Sequence, residues 1–179
     1  MQSVKEKKLE FLFPKGWVAV KYDDTAFYRK TFIKNGDPKA VDIIFIDENN
    51  NVNFLEVKDF TCHEIENKKR IVTGELIEES RKKVYDTLVG MWAAKFCNDE
   101  SLKKVTNTAF NAKSKIKIIL FFQNCSAIRS PFSPSKILAD LRAMSVAKFK
   151  TLNLKPVVCD MNNMPANFKW LARRTARPE

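Results

Sequence analysis

Apolar and polar residues alternate along the first sixty positions in a way that is typical of strands. GWVAVKYDD and AFYRKTFIK carry β-type residues on either side of an Asp23-Asp24 turn. AVDIIFI and VNFLEVKDF predict two further strands around DENNN, whose asparagines tolerate a left-handed backbone. We therefore expect a β-meander of three or four strands, preceded by a helix in KEKKLEFLF that ends before Pro14.

A helical period begins at Glu75 and continues to Cys97, with acidic residues in the first turns, where the helix dipole favours them. The apolar positions that recur at helical spacing are Ile77, Val84, Leu88, Met91 and Trp92. Residues 98–114 predict a connecting loop, and KIKIILFFQN predicts a buried strand. A second amphipathic helix begins near Ser135, and KPVVCD predicts a last short strand. This order predicts an α/β protein with helices on the faces of a central sheet.

The chain of 179 residues contains no internal repeat, low-complexity tract or Gly/Ser linker. We therefore expect one domain over residues 1–179, with a basic C-terminal tail at about 166–179. This tail, ANFKWLARRTARPE, is expected to be helical as far as Arg174 or to fray from a core-bound aromatic anchor. Trp170 could serve as that anchor or could stack on a nucleic-acid base.

Three charged residues interrupt the two strands that flank DENNN. Glu56 and Lys58 are two apart and so share a face, and a turn centred on Asn49 places Asp42 opposite Glu56, about 5 Å away. Two carboxylates at that distance repel each other unless a positive charge lies beside them. Mg²⁺ suits such a pair because it takes hard oxygen ligands, and Lys58 could then hold or deprotonate a water molecule or neutralise a phosphate.

The alternative is a salt-bridged strand end in which Lys58 neutralises both carboxylates without chemistry. The tripeptide Glu/Asp-x-Lys occurs four times, starting at Glu6, Asp37, Glu56 and Glu66. Only the third ends an apolar strand and follows a strand that begins with an aspartate. Because buried ion triads are expensive as mere structure, the pattern favours a functional site.

Asp42 is followed, after thirteen residues, by Glu56-Val57-Lys58 on the second strand of a hairpin, and then by a long helix and a buried strand. This pattern resembles the PD-(D/E)xK nuclease superfamily. The resemblance implies a restriction endonuclease-like αβββαβ core over roughly residues 4–124, with a central mixed β-sheet flanked by helices. It also implies metal-dependent hydrolysis of DNA, less often of RNA, with Mg²⁺ that Mn²⁺ can replace.

Carried over by position, the resemblance makes Asp42, Glu56 and Lys58 the catalytic residues. Asp42, Glu56 and the main-chain carbonyl of Val57 would hold the metal, and Lys58 would serve the water. Val41 stands where the family commonly has proline. Many members add a glutamate from the first helix, and Glu10 is the candidate, although a solvent-facing charge is an equal interpretation.

Other residues are candidates for substrate contacts. Gln123 ends the buried strand, Lys82 and Tyr85 lie on the long helix, and Lys115 and Arg129 belong to basic segments. RKKVY has Arg81 where exonuclease-like branches have glutamine, so an endonuclease is favoured over an exonuclease. For Gln123, Lys82 and Tyr85, ordinary strand-end or solvated roles remain open. His63 and Glu64 are interpreted as loop residues, because such a metal site needs no imidazole.

The net charge of +11 is unevenly distributed. Residues 1–100 hold 17 basic and 18 acidic residues, whereas residues 101–179 hold 15 and 3. Such asymmetry suits a polyanionic partner or a basic, solubilising surface. If the sheet brings the basic residues of the second half around Asp42 and Glu56, they would form a basic rim. The members of this rim would be Lys103, Lys104, Lys113, Lys115, Lys117, Arg129, Lys136 and Arg142.

Four dispersed cysteines, one histidine and no apolar run near 18 residues argue against a zinc site, disulfides and a membrane span. An intracellular, cytoplasmic protein is expected.

The sequence predicts a small nuclease, a possible homodimer or a subunit of a larger complex, in restriction, repair or mobile-element defence. The alternative is a non-catalytic nuclease-fold module that binds nucleic acid or a partner protein.

Overall fold

The computed structural model describes residues 1–60, 69–123 and 134–175. Five strands form a mixed sheet in the order β3-β4-β5-β6-β7, in which β3, β4 and β5 are antiparallel and β5, β6 and β7 are parallel. The strands of this sheet are β3 Val18–Lys21, β4 Ile43–Ile46, β5 Val52–Asp59, β6 Ile116–Gln123 and β7 Val157–Cys159. Three of the strands predicted for the meander and the two later strands are therefore confirmed.

Helices follow the meander as predicted, but two shorter ones were missed. The α-helices whose bounds the structure describes are α1 Ala26–Lys30, α2 Glu75–Phe96, α3 Lys103–Ala109 and α4 Pro134–Phe149, and residues 69–72 are also helical. The predictions for α2 and α4 are confirmed to within a residue or two. The strand predicted in AFYRKTFIK is wrong, because this segment forms α1 and the 3-10 turn Phe32–Asn35. The loop predicted at 98–114 is also wrong in part, because it contains α3.

A smaller antiparallel sheet has the order β1-β2-β8 and consists of Gln2–Glu6, Leu9–Phe13 and Leu171–Arg174. The helix predicted before Pro14 is therefore wrong. Leu9, Phe11 and Phe13 are all fully buried and alternate with less buried residues, which is the period of a strand. The helix predicted to reach Arg174 is likewise wrong, because β8 pairs with β2.

The two sides of the five-stranded sheet are covered by different elements, and strand alternation assigns each residue to one of them. On one side, Ile44, Phe54 and Leu120 pack with residues of α2 and α4. On the other side, Ile43, Leu55, Val57, Ile119 and Phe121 pack with β1, β2 and Trp170. A residue that shares the parity of Phe54 in β5 therefore faces the helices.

Helix α2 buries most of its predicted apolar face. Ile77, Val84 and Met91 are inaccessible to solvent, whereas Trp92 is 54% exposed and its ring lies 4.4 Å from that of Phe96. The prediction that Trp92 lies on the buried face is wrong.

The structure confirms an α/β protein with a mixed sheet. The first helix of the predicted αβββαβ order is replaced by the β1–β2 hairpin, so that finer assignment is not confirmed. Among the described residues, no helix combines the length and the apolar character needed to cross a bilayer.

Gly90 lies where α2 passes close to Tyr22 and Phe32, two aromatic residues of the segment between β3 and β4. This close approach predicts how a substitution of Gly90 changes stability. A Cβ at this position would overlap the Tyr22 hydroxyl and would lie 3.1 Å from Phe32 Cε1. Alanine normally stabilises a helix interior over glycine by about 1 kcal/mol. Here we expect Gly90→Ala to destabilise the protein by about 1–3 kcal/mol in urea unfolding, because a packed core resists added volume.

Tyr22→Phe supplies the control. The Tyr22 hydroxyl is buried without a hydrogen-bond partner within the described part of the chain. Tyr22→Phe alone is expected to change the free energy of unfolding little. In the double variant it should reduce the destabilisation caused by Gly90→Ala. An alanine that stabilises the wild-type protein would contradict this packing.

Candidate active site

Asp42 and Glu56 converge because of the register of β4 and β5. The pairing of Ile43 with Leu55 and of Ile44 with Phe54 continues to place Asp42 opposite Glu56, as predicted. Both side chains share the parity of Phe54 and so face the helices. Asp42 is 6% exposed and Glu56 is fully buried. The Asp42 carboxylate Oδ2 also accepts a 2.6 Å hydrogen bond from the backbone N–H of Val57.

An ammonium that the sequence prediction missed lies between the two carboxylates. Lys83 Nζ, from α2, is 3.4 Å from Asp42 Oδ1 and 2.8 and 2.9 Å from the two oxygens of Glu56. Since one nitrogen touches both groups, the oxygens of Asp42 and Glu56 lie within about 7 Å of each other. The two carboxylates therefore share one cation, the ammonium of Lys83.

Lys58 faces the same side as Glu56, but its strongest contact is elsewhere. Its Nζ lies 2.8 Å from Glu79 Oε1 and 3.3 Å from Glu56 Oε1. Glu79 is paired in turn with Arg70. The predicted lysine thus belongs to a chain of ion pairs that runs from Glu56 towards the surface. Val57 directs its side chain into the opposite core, so only its backbone belongs to this site.

Glu6 and Asp23 also lie close to Asp42. Glu6 ends β1, and Asp23 lies in the 3-10 turn Tyr22–Asp24 that follows β3. One carboxylate oxygen from each of Glu6, Asp23 and Asp42 lies within 4.8 Å of the others. Lys21 Nζ accompanies this group, 3.1 Å from Glu6 Oε2 and 3.8 Å from Asp23 Oδ1. Sequence reasoning missed Glu6, because its segment was taken for a helix, and treated Asp23 only as a turn residue.

Buried carboxylate oxygens around Asp42 lack hydrogen bonds. Within the described residues, the buried side-chain atoms without a hydrogen-bond partner include Glu6 Oε2, Asp23 Oδ1 and Glu56 Oε1. Each of these oxygens still lies in an ion pair with a lysine: Glu6 Oε2 and Asp23 Oδ1 with Lys21, and Glu56 Oε1 with Lys83. Since buried polar groups are normally satisfied, this cluster of hard oxygens has capacity for a further cation.

The protonation of the site follows from its burial. Burial, with a smaller contribution from Asp42, raises the pKa of Glu56 to about 8, against the opposing charges of Lys83 and Lys58. Burial likewise raises the pKa of Asp23 to about 6. Burial alone would lower the pKa of Lys83, but the charges of Glu56 and Asp42 raise it above its ordinary value. Lys83 therefore stays an ammonium.

The pKa of Glu79 is shifted in the opposite direction to that of Glu56. Burial would raise the pKa of Glu79, but the hydrogen bond and charge of Lys58 outweigh it and lower that pKa. Glu79 is therefore ionised at neutral pH and anchors Lys58.

Glu10 lies away from Asp42 and Glu56. It lies on β2, where its carboxylate accepts a 2.8 Å hydrogen bond from Arg173 of β8, and this bond lowers the pKa of Glu10. The glutamate that approaches Asp42 is Glu6, four residues earlier. The prediction of Glu10 as a ligand from a first helix is wrong, because that segment is a hairpin.

Gln123 also lies away from the carboxylates. It pairs with Asp59 in the parallel ladder and so has the opposite parity from Glu56 and Lys58. Its Oε1 accepts a 3.0 Å hydrogen bond from the backbone of Met161, which ties β6 to the segment after β7. A substrate contact by Gln123 on the Glu56 side of the sheet is not supported.

Lys82 and Tyr85 line a groove of about 710 Å³ beside α2. Lys82 is half exposed and pairs with Asp86 at 3.6 Å, and the Tyr85 hydroxyl lies 2.9 Å from that of Thr151. The charged residues of the groove are Lys39, Arg81, Lys82 and Lys148 together with Glu75, Glu78 and Glu79. Because Glu79 also contacts Lys58, the groove borders the carboxylate site.

Four members of the predicted basic rim, Lys104, Lys113, Lys115 and Lys117, lie away from the carboxylates. Lys115 precedes β6 at the end of the sheet opposite Glu56, where its carbonyl accepts from Val52 N. Lys117 binds Asp47 at the same end. Lys104 and Lys113 line a groove with the β4–β5 turn. Arg129, His63 and Glu64 lie outside the described residues.

Trp170 is 1% exposed and packs against Phe11, Phe13, Phe45 and Phe121. A role for Trp170 in stacking on bases is therefore wrong, and the core-anchor interpretation is correct. The C-terminal segment is part of the small sheet, where Arg173 and Arg174 contact Glu10 and Asp59.

Comparisons with protein-family models, with curated proteins and with solved structures return no match.

The raised pKa of Glu56 predicts how stability changes with pH. The unfolded carboxyl releases its proton near its ordinary pKa of 4.5, whereas the folded one holds it to about 8. The folded state therefore binds more protons in this interval, and stability falls as pH rises through it. Asp23 adds to the fall only up to about pH 6. The contribution of Lys83 is lost only in more alkaline solution, because its pKa is raised.

We expect Glu56→Gln to flatten this dependence above pH 6, by up to a few kcal/mol across the interval. Thermal unfolding in the presence of a chelator measures it. Glu79→Gln is the matched control, since the pKa of Glu79 is lowered and this carboxyl titrates below the interval. An unchanged slope in Glu56→Gln would contradict the raised pKa.

Proposed function

We propose that the protein is a metal-dependent nuclease of the PD-(D/E)xK type that hydrolyses phosphodiester bonds of DNA in preference to RNA. The observation that carries the proposal is the convergence of Asp42, Glu56 and Lys58 on the helix-covered face of β4 and β5. The succession of meander, long helix and parallel strand supports a core of this type. The β1–β2 hairpin stands where that core has its first helix, and Glu6 supplies the additional carboxylate.

The residues present fit a divalent cation. Asp42, Glu56, Glu6 and Asp23 offer hard oxygen ligands, three of which have buried oxygens without hydrogen bonds among the described residues. Asp42 and Glu56 would hold Mg²⁺, or Mn²⁺ in its place, and the Val57 carbonyl is a further proposed ligand. When bound, the ion supplies Lewis-acid polarisation of a phosphoryl oxygen and an acidified water.

Lys58 has the position of a catalytic group in this scheme. Its Nζ is held between Glu56 and Glu79, so it lies at the edge of the carboxylate cluster and beside the groove. From there the ammonium orients the attacking water by donating a hydrogen bond, and it stabilises negative charge on the phosphate. Lys39, Arg81 and Lys82 along the groove would contact flanking phosphates.

Cleavage of both strands of a duplex usually takes two such sites, so we include a homodimer, or a subunit of a larger complex, in the proposal. Restriction, repair and mobile-element defence are the processes that use nucleases of this kind, and the proposal extends to these three.

A non-catalytic nuclease-fold module is the second candidate, and one observation favours it. The ion pairs from Asp42 through Lys83, Glu56, Lys58 and Glu79 balance most of the charge without a metal. Such a network could persist as structure in a protein that only binds nucleic acid or a partner protein.

A cleavage assay separates the two candidates. The protein is incubated with plasmid, linear duplex, single-stranded DNA and RNA in Mg²⁺, in Mn²⁺ and in chelator. We expect metal-dependent cutting of DNA that falls by about 100-fold or more in Asp42→Asn, Glu56→Gln and Lys58→Met, because each removes a group that acts on the metal, the water or the phosphate.

Glu100→Gln and Lys103→Met are the matched controls, since they make the same charge changes in an exposed ion pair on and near α3. They should leave the cleavage rate unchanged. Binding without cleavage in any metal would favour the non-catalytic module, and cutting in chelator or by Lys58→Met at the wild-type rate would refute the mechanism.

A further inference from the structure

Lys83 holds the place between Asp42 and Glu56 in which a shared cation would lie. Its side chain is 14% exposed, and it enters from the middle of α2. Among the described residues, the ion-pair partners of its Nζ are these two carboxylates, at 3.4, 2.8 and 2.9 Å. These are the distances of charge-assisted hydrogen bonds and close ion pairs.

The two lysines of the site differ in what would keep them in place. Lys58 is held by Glu79 at 2.8 Å and contacts Glu56 only at 3.3 Å. Its anchor would remain if another cation bound to Glu56. Within the described part of the chain, Lys83 has no such second anchor at contact distance, although Glu79, one helical turn earlier, interacts with it electrostatically. Lys83 is therefore the cation that a metal would replace.

An ammonium and a metal ion exclude each other at this position. Mg²⁺ binds carboxylate oxygens at about 2 Å, which would bring it within a few ångströms of the present Nζ position. Three positive charges in so small and buried a volume repel strongly, and both ions need the same oxygen lone pairs.

We propose that Lys83 is a positioning residue that acts as the resident counter-cation of Asp42 and Glu56, and that a divalent cation binds these carboxylates by displacing it. This inference rests on the metal site of the proposed function and adds its regulation. Lys83 holds the two carboxylates together before the metal arrives, and it lowers the metal affinity of the free protein. The displaced ammonium moves towards Glu79 and the neighbouring groove.

Calorimetric titration of the metal-free protein with MgCl₂ tests the proposal without measuring cleavage. Titrations at about pH 9 keep a proton from taking the place of the ammonium on Glu56. We expect Lys83→Met and Lys83→Gln to bind Mg²⁺ at least about tenfold more tightly than wild type, because no competing cation must leave. Lys83→Arg, which keeps the charge, should stay near the wild-type affinity.

Lys58→Met is the matched control and should change the affinity far less than Lys83→Met. A merely structural role for Lys83 predicts weaker or equal binding in the neutral variants, and either result overturns the inference. Equal tightening in Lys83→Arg also overturns it, because the effect would then not depend on charge.

Thermal unfolding provides a second readout that does not require a perfectly stable variant. Without metal, Lys83→Gln should melt below wild type, because two buried carboxylates then face each other. Its rise in Tm on adding Mg²⁺ should exceed that of wild type. An equal or smaller rise contradicts the proposal.

The outcomes distinguish this inference from the proposed nuclease activity. Mg²⁺ binding that tightens in the neutral variants, with no cleavage of any substrate, supports the displacement and refutes the nuclease. Cleavage with unchanged Mg²⁺ affinity refutes only the displacement. An absence of Mg²⁺ binding in wild type and all variants refutes both.

Discussion

The burial of Glu56 opposite Asp42 is the constraint on which the rest of the site depends. A fully buried carboxylate is costly, and a second one across the strand pair adds repulsion. The ammonium of Lys83 offsets both the cost of burial and the repulsion. It can do so only if α2 packs on the sheet at a particular distance and with a particular rotation about its axis. Ile77, Val84 and Met91 fix that position by packing on the same face, and Gly90 permits the close approach to Tyr22. Apolar packing and charge pairing therefore specify the same docking of the helix.

The charges around Asp42 remain unbalanced after these pairs form. Glu6 and Asp23 lie close to Asp42 and pair with Lys21, whereas Asp42 and Glu56 pair with Lys83. Lys58 is shared between Glu56 and Glu79, so carboxylates outnumber the lysines. Such an excess of buried carboxylates can be relieved by protonation or by a cation. The raised pKa values of Glu56 and Asp23 show that protonation of these carboxylates is favoured. A divalent cation would relieve the same excess of negative charge by binding to them. Protons and metal ions are therefore expected to compete for the same oxygens.

The hairpin part of this site was predictable because it depends on local pairing. An asparagine-rich turn centred on Asn49 determines which residues of β4 and β5 lie opposite each other, so Asp42 and Glu56 followed from counting. Lys83 and Glu6 depend on how α2 and β1 dock, and no local pattern reports that. The turn at Lys7 and Lys8 lacks the glycine or asparagine that usually marks a hairpin, which hid the alternation of Leu9, Phe11 and Phe13. Strand β8 is a strand only because β2 offers it an edge.

The distribution of charge also changes how a polyanion would meet the protein. The sequence concentrates positive charge after residue 100, but Lys115 and Lys117 lie at the end of the sheet away from Glu56. Near the site, Arg81 and Lys148 both pair with Glu78, so the groove offers little unbalanced positive charge. A phosphate would thus meet an acidic cluster with weak electrostatic attraction. A divalent cation would reverse that local sign and would free Lys83 to face the phosphate, so metal binding and substrate binding would favour each other.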